Sequence, residues 1–176
     1  MKKFCITLEI IAIILLTIAC GSGTGNTESE AFLRIHIRAN SNGDKDQAVK
    51  YIVKDAIVNY LTPVVADCRT KSEAVEKISA KTQNMKFVAD ETLKADGFEY
   101  SSEVSVRSEY FPTRIYGDTV LNSGYYDAVI INLGSGKGDN WWCVVYPPLC
   151  FSSGKNVKYR SKIIEIIEEF RRKTGR

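Results

Sequence analysis

Trp141 and Trp142 stand side by side in the run Gly136-Lys-Gly-Asp-Asn-Trp-Trp-Cys-Val-Val-Tyr-Pro-Pro-Leu-Cys-Phe151, which holds both tryptophans of the chain. Successive side chains of a strand point to opposite faces, so adjacent indoles cannot share one face. One indole enters a core, and the other needs a second surface, a partner or a groove. Pro147 and Pro148 break the hydrogen-bonding ladder and place this strand's end at a sheet edge.

The preceding chain supplies the elements for that sheet. Phe32–Arg38 alternates, with Leu33, Ile35 and Ile37 on a buried face and Arg34, His36 and Arg38 on the other. Ala39–Asp44 is a turn. Asp44 and Gln47 have capping-box spacing. The helix after them carries Ala48, Val49, Ile52, Val53, Ala56, Ile57, Tyr60 and Leu61 inward, until Pro63 ends or kinks it. Thr70 and Glu73 cap a second helix from about Lys71 to Ala95, with Val75, Ile78, Met85, Val88, Ala89 and Leu93 inward, and Asp96-Gly97 stops it.

Phe98–Tyr110 alternates as a strand. Tyr125–Leu133 and Trp141–Tyr146 are strands expected to pair as an antiparallel hairpin around Gly134–Asn140. Ser161–Arg172 is an amphipathic helix. The expected order is β-α-α-β-β-β-α: an α+β fold whose mostly antiparallel sheet carries helices on one face.

Residues 1–20 read as an export segment. Lys2 and Lys3 precede the uncharged run Ile10–Ala19, which is shorter than the roughly 20 apolar residues a stable span needs. Ala19-Cys20-Gly21 matches the bacterial lipoprotein cleavage pattern and makes Cys20 a lipidation candidate; ordinary cleavage near Ala19 and an uncleaved anchor are the alternatives. Residues 21–31 are a polar, glycine-rich tether. Residues 32–176 have the size of one domain. Without Lys2, Lys3 and Glu9 the formal charge falls from +3 to +2, too small a surplus to argue for nucleic acid.

The residues offer little chemistry. The single histidine, His36, is the only imidazole open to a nucleophilic site, and its strand position suits a structural or solvated role. His36, Cys68, Cys143 and Cys150 lack paired metal-ligand spacing, so no metal is expected. Gly134-Ser-Gly-Lys-Gly138 leads into a strand, whereas a phosphate loop opens a helix. No catalytic residue and no cofactor are expected. Cys143 and Cys150 flank the Pro-Pro turn and are disulfide candidates in an oxidising compartment, with a pairing to Cys68 the alternative.

Two segments suit binding. One is the polar turn with Arg38, Asn40, Ser41, Asp46 and Gln47; the other is Asn140, Trp141 and Trp142, where tryptophan is a residue type favoured at interface hot spots. The expectation is that they adjoin and form one partner-binding surface. Joint substitution of Asn40 and Trp142 is then expected to block the partner's response while the chain stays folded and secreted.

Four blocks carry a family resemblance. They are Leu33–Gln47 continuing to Lys54-Asp55-Ala56, Phe111-Pro-Thr-Arg-Ile-Tyr-Gly117, Gly124-Tyr-Tyr-Asp-Ala128, and Leu133-Gly134 with Gly136–Phe151. Together they resemble the stage II sporulation protein R family over most of Leu33–Phe151. Cys20 is not part of that resemblance, and Leu121-Asn122-Ser123 stands where the family pattern suggests a proline. The resemblance implies a signalling protein, not an enzyme. It would be exported to the extracytoplasmic face of the membrane, in the space between forespore and mother cell. Its partner would be a membrane-embedded aspartic protease that processes a pro-sigma factor in the mother cell. The alternative reading is an exported cell-wall-binding module or hydrolase, using exposed tryptophans on sugar rings and His36 or Cys143 for chemistry.

Overall fold

The computed structural model describes residues 27–116 and 119–149. Its elements are α1 (Thr27–Ala31), β1 (Leu33–Arg38), α2 (Asp44–Ala66), α3 (Lys71–Ser79), α4 (Thr82–Ala95), β2 (Ser102–Phe111), β3 (Arg114–Tyr116), β4 (Thr119–Leu121), β5 (Gly124–Leu133) and β6 (Asn140–Tyr146). Cys20, Cys150 and the Ser161–Arg172 helix lie outside the described residues.

The fold is α+β. Four strands form one sheet in the order β2-β5-β1-β6, and β3 and β4 form a small ribbon. β1 runs parallel to β5, while β1–β6, β2–β5 and β3–β4 are antiparallel. The expected β5–β6 hairpin is therefore not formed: β1 lies between these strands. The six residues 134–139 that link them must cross the end of β1. A tight hairpin needs about two loop residues, and the run Ala128–Ile131, buried on both faces, marks β5 as an interior strand.

β1 also differs from its expected half-buried character. Leu33, Ile35 and Ile37 face the helices, but Arg34 and His36 on the opposite face are 0% and 2% exposed. Two cores result. One joins β1, Val129, Ile131 and Leu133 of β5, and Cys143 and Val145 of β6 to the helical layer. The other gathers Phe32, Phe111, Leu121, Tyr126, Ala128, Ile130 and Val144 across the sheet.

The helical layer departs from the sequence pattern at four places. Gly43, not Asp44, precedes the first turn of α2 and gives no side-chain cap; Gln47 instead bonds back to the Ser41 carbonyl at 2.8 Å. α2 continues through Pro63 to Ala66. The single helix expected over Lys71–Ala95 is two, broken at Ala80-Lys81. In α2 the buried stripe is Val49, Val53, Ile57, Leu61 and Val65, while Ala48 is exposed and Ile52 is 45% exposed. The Thr70 cap is as expected, its side chain accepting from the Glu73 N–H at 3.2 Å. Cys68 is a buried free thiol whose Sγ donates to the Val64 carbonyl, so it is not the alternative disulfide partner.

This placement sets an expected contrast. Ile57→Ala should cost about 2–5 kcal/mol by leaving a cavity against the sheet. Ile52→Ala, on the solvent side of the same helix, should stay within about 0.5 kcal/mol. Denaturant melts of the two variants check the assignment, and equal losses would contradict the packing face described.

Candidate partner-binding surface

The loop that crosses β1 explains why the two polar segments meet. As the chain leaves β1 it turns through residues 39–43, and residues 134–139 pass directly over that turn. Gly138 N–H donates to the Ala39 carbonyl at 2.8 Å. Ser135 donates from its N–H to Asn40 Oδ1 at 2.9 Å and from Oγ to the Asn40 carbonyl at 2.7 Å. Asp139 N–H donates to Asn42 Oδ1 at 2.6 Å. A Cβ on Gly138 would lie 2.2 Å from the Ser41 carbonyl oxygen, and one on Gly134 would lie 2.5 Å from Asn40 Oδ1. These glycines permit the crossing.

Asp46 ties this turn to the helical layer. Its carboxylate accepts from Asn40 Nδ2 at 2.9 Å, Ser41 Oγ at 2.5 Å and Tyr100 Oη at 2.6 Å. Burial works to raise its pKa, but the bonds from Ser41, Tyr100 and Asn40 outweigh it and hold the carboxyl below its ordinary range. Buried Lys50 donates to Gln47 Oε1 at 2.7 Å and to the Asp139 carbonyl at 3.1 Å. Asn40, Ser41, Asp46 and Gln47 thus spend much of their hydrogen-bonding capacity inside the molecule. They build a rigid turn rather than present loose polar ends.

The tryptophans flank β1 on opposite faces of the sheet. Trp141 is opposite Ile37 and Trp142 opposite His36 in the β1–β6 register. Trp141 is half-buried against the helical core. Lys54 Nζ stands 5.8 Å from the Trp141 ring and 5.9 Å from the Tyr51 ring, and Lys50 Nζ is 4.9 Å from that tyrosine. Exposed Tyr51, half-buried Lys54 and Trp141 form a cation–aromatic seam between α2 and β6, beside exposed Asn140.

Trp142 belongs to a different neighbourhood. It stacks on His36 with ring centroids 4.0 Å apart and meets Phe111 at 5.0 Å. His36 Nδ1 is 2.6 Å from Glu109 Oε1, and Arg38 Nη2 donates to the same oxygen at 2.7 Å. Beside an ionised carboxylate, Nδ1 must carry the proton. Arg38 also donates to Asn132 Oδ1 at 3.1 Å. Fully buried Arg34 has no carboxylate partner among the described residues. Its guanidinium lies over Phe111 at 4.1 Å and near Tyr126 at 4.9 Å, and donates to Tyr116 Oη at 2.9 Å.

The eight expected binding residues are thus contiguous around one end of the sheet but divided between its faces. Trp142 and Asn40 carry contacts of the fold, so replacing both would disturb folding as well as any docking. The alternation pattern placed Arg34, His36 and Arg38 together, but gave no sign that this face is covered by aromatic rings. The Lys54–Tyr51 contribution to the seam was missed because it depends on how α2 lies beside β6. No group of three or more His, Cys, Asp or Glu side chains forms a metal-binding cluster among the described residues.

Residues 29–156 match the family described as stage II sporulation protein R. The protein named stage II sporulation protein R of Bacillus subtilis (strain 168) is 41% identical over 129 residues, covering 72% of this chain and 58% of that relative. The chain thus matches over less than two thirds of the relative's length. No solved structure matches the chain.

Two outcomes follow from the geometry. Gly138→Ala should destabilise by about 1–3 kcal/mol, because the obstructing atom is backbone; a denaturant midpoint checks it. Burial lowers the His36 pKa, outweighing the upward pull of Asn140 and Glu109. The unfolded imidazole, with a pKa of about 6.5, then gains its proton first as pH falls. Stability should decline below about pH 6.5. His36→Gln should flatten this decline between about pH 6.5 and 5, leaving a further loss below about pH 4, where the unfolded carboxyls of Glu109 and Asp46 take up protons while the fold, which holds both low, keeps them ionised. Stability measured across pH checks this, and an unchanged slope in the variant would exclude His36 as the cause.

Proposed function

Because this chain belongs to the stage II sporulation protein R family, and so has a role in sporulation, we propose that it is the exported signal of that process. In this reading it crosses from the forespore into the space before the mother cell and activates a membrane-embedded aspartic protease. That protease then processes a pro-sigma factor. The chain acts by docking and makes or breaks no covalent bond in the substrate.

One observation carries the docking reading: the Tyr51–Lys54–Trp141 seam sits beside a turn whose polar groups are already fixed. A surface ordered before contact loses little conformational freedom when a partner covers it. Aromatic rings and a cation offer both contact area and orientation. Arg38 and Asn140, paired across β1 and β6, continue this surface around the strand ends.

The same reading assigns residues 1–20 to export, with Cys20 as the lipid-bearing residue after cleavage. It also assigns a Cys143–Cys150 disulfide, suited to an oxidising compartment. No helix among the described residues is long and apolar enough to cross a membrane, and this reading places attachment in residues 1–20.

The test is co-expression with the membrane-embedded protease and its pro-protein substrate in a non-sporulating host. The full chain should yield processed substrate, and a chain lacking residues 1–20 should not. Tyr51→Ala with Lys54→Glu should reduce processing about tenfold or more, with unchanged secretion and circular dichroism. Full processing by the cytoplasmic chain would refute the export reading. Full processing by the folded double variant would refute docking through the seam.

A further inference from the structure

The end of the sheet remote from Trp141 carries exposed apolar side chains on both faces that the seam does not use. Tyr125 is 68% exposed and Tyr110 is 53% exposed. They are directly opposite one another in β2 and β5 and meet edge to face at 5.7 Å. The β3–β4 ribbon springs from the same end, where Ser123 N–H donates to Thr113 Oγ1 at 3.0 Å. Ile115 and Val120, opposite each other in that ribbon, are 70% and 51% exposed.

The start of the described chain is fastened to this end. Lys71 Nζ donates to the Ser29 carbonyl at 2.7 Å and pairs with Asp127 Oδ2 at 2.5 Å. Asp127 stands two residues from Tyr125 and therefore on the same face of β5. Seven steps of chain separate Cys20 from Thr27. At full extension they reach only about 25 Å. An anchor at Cys20 therefore keeps this end of the sheet close to the membrane.

We propose that the sheet end bearing Tyr110, Tyr125, Ile115 and Val120 rests on the headgroup region of a lipid bilayer. The inference rests on the anchored reading above. Tyrosine suits this environment, since its ring is apolar and its hydroxyl can remain among headgroups and water. The Asp127 charge is paired with Lys71, and Arg114 at the start of the ribbon sets its guanidinium 5.4 Å from the Trp142 ring. The short tether supplies proximity, and the exposed side chains then fix which end faces down. The Trp141 seam, at the other end of the strands, is held away from the lipid.

The experiment uses the full chain reconstituted through residues 1–26 into phosphatidylcholine–phosphatidylglycerol vesicles with a nitroxide on the headgroup. Because Trp142 meets Phe111 and Arg114 near this end, Trp141 is read in a Trp142→Phe chain and should stay bright. The indole introduced by Tyr125→Trp should be quenched, and Tyr110→Ser with Ile115→Ser should reduce that quenching severalfold. Quenching of the new indole with Trp141 bright supports the proposal. A chain that stays with the vesicles while the new indole is not quenched overturns the proposal but leaves anchoring intact. A chain that does not stay with the vesicles overturns both. Should the attached Tyr110→Ser, Tyr125→Ser chain lose protease activation while the Tyr125→Trp indole is unquenched, the face docks protein and the lipid assignment is wrong.

Discussion

Everything in this molecule depends on β1 being covered on both sides. Leu33, Ile35 and Ile37 require the helical layer, while Arg34 and His36 require something quite different across the sheet. A buried guanidinium is tolerable only with compensation. Here aromatic faces and the Tyr116 hydroxyl provide part of it. Among the described residues, Nε and Nη1 of Arg34 find no hydrogen-bond partner. The Glu109 carboxylate completes the arrangement by joining His36 to Arg38. The polar row of β1 is therefore a second core, and it fixes the strand at the centre of the sheet.

That central position shapes the surface. With β1 inserted between β5 and β6, their connection has to cross over the chain leaving β1. The crossing locks Asn40 to Ser135 and Asn42 to Asp139, and it sets Trp141 beside α2. Rigidity in the polar turn is thus a by-product of strand order. A surface built in this way inherits its shape from topology instead of from the flexibility of its loops.

Much of this was legible from residue pattern. The alternation in β1, the apolar stripe at Val49, Val53, Ile57 and Leu61, the Thr70 cap and the opposed tryptophans all depend on local geometry, which sequence carries directly. The β5–β6 hairpin was misread because strand neighbours in sequence usually pair, and nothing local reveals an inserted third strand. The Asp44 box failed for a related reason: Asp46 was drawn into the turn by Asn40, Ser41 and Tyr100, and Gln47 followed it to the Ser41 carbonyl. The break at Ala80-Lys81 has no glycine or proline to announce it. Of the candidate surface, the approach of the turn to Trp141 agrees with the sequence reading, whereas Trp142 lies on the other face and the Lys54–Tyr51 contact came only with the placement of α2.

The strand order also sets a schedule. β1 is the first strand of the domain, yet its neighbours are Ala128–Asn132 and Asn140–Tyr146. Roughly ninety residues and the whole helical layer separate it from the nearer of them. A polypeptide threaded through a translocation pore amino end first would find no mate for its opening strand until nearly the last described residue had emerged. For such an exported chain, premature compaction on the near side would be discouraged, and assembly would be deferred to the far side, where all the pieces of the sheet are first present together.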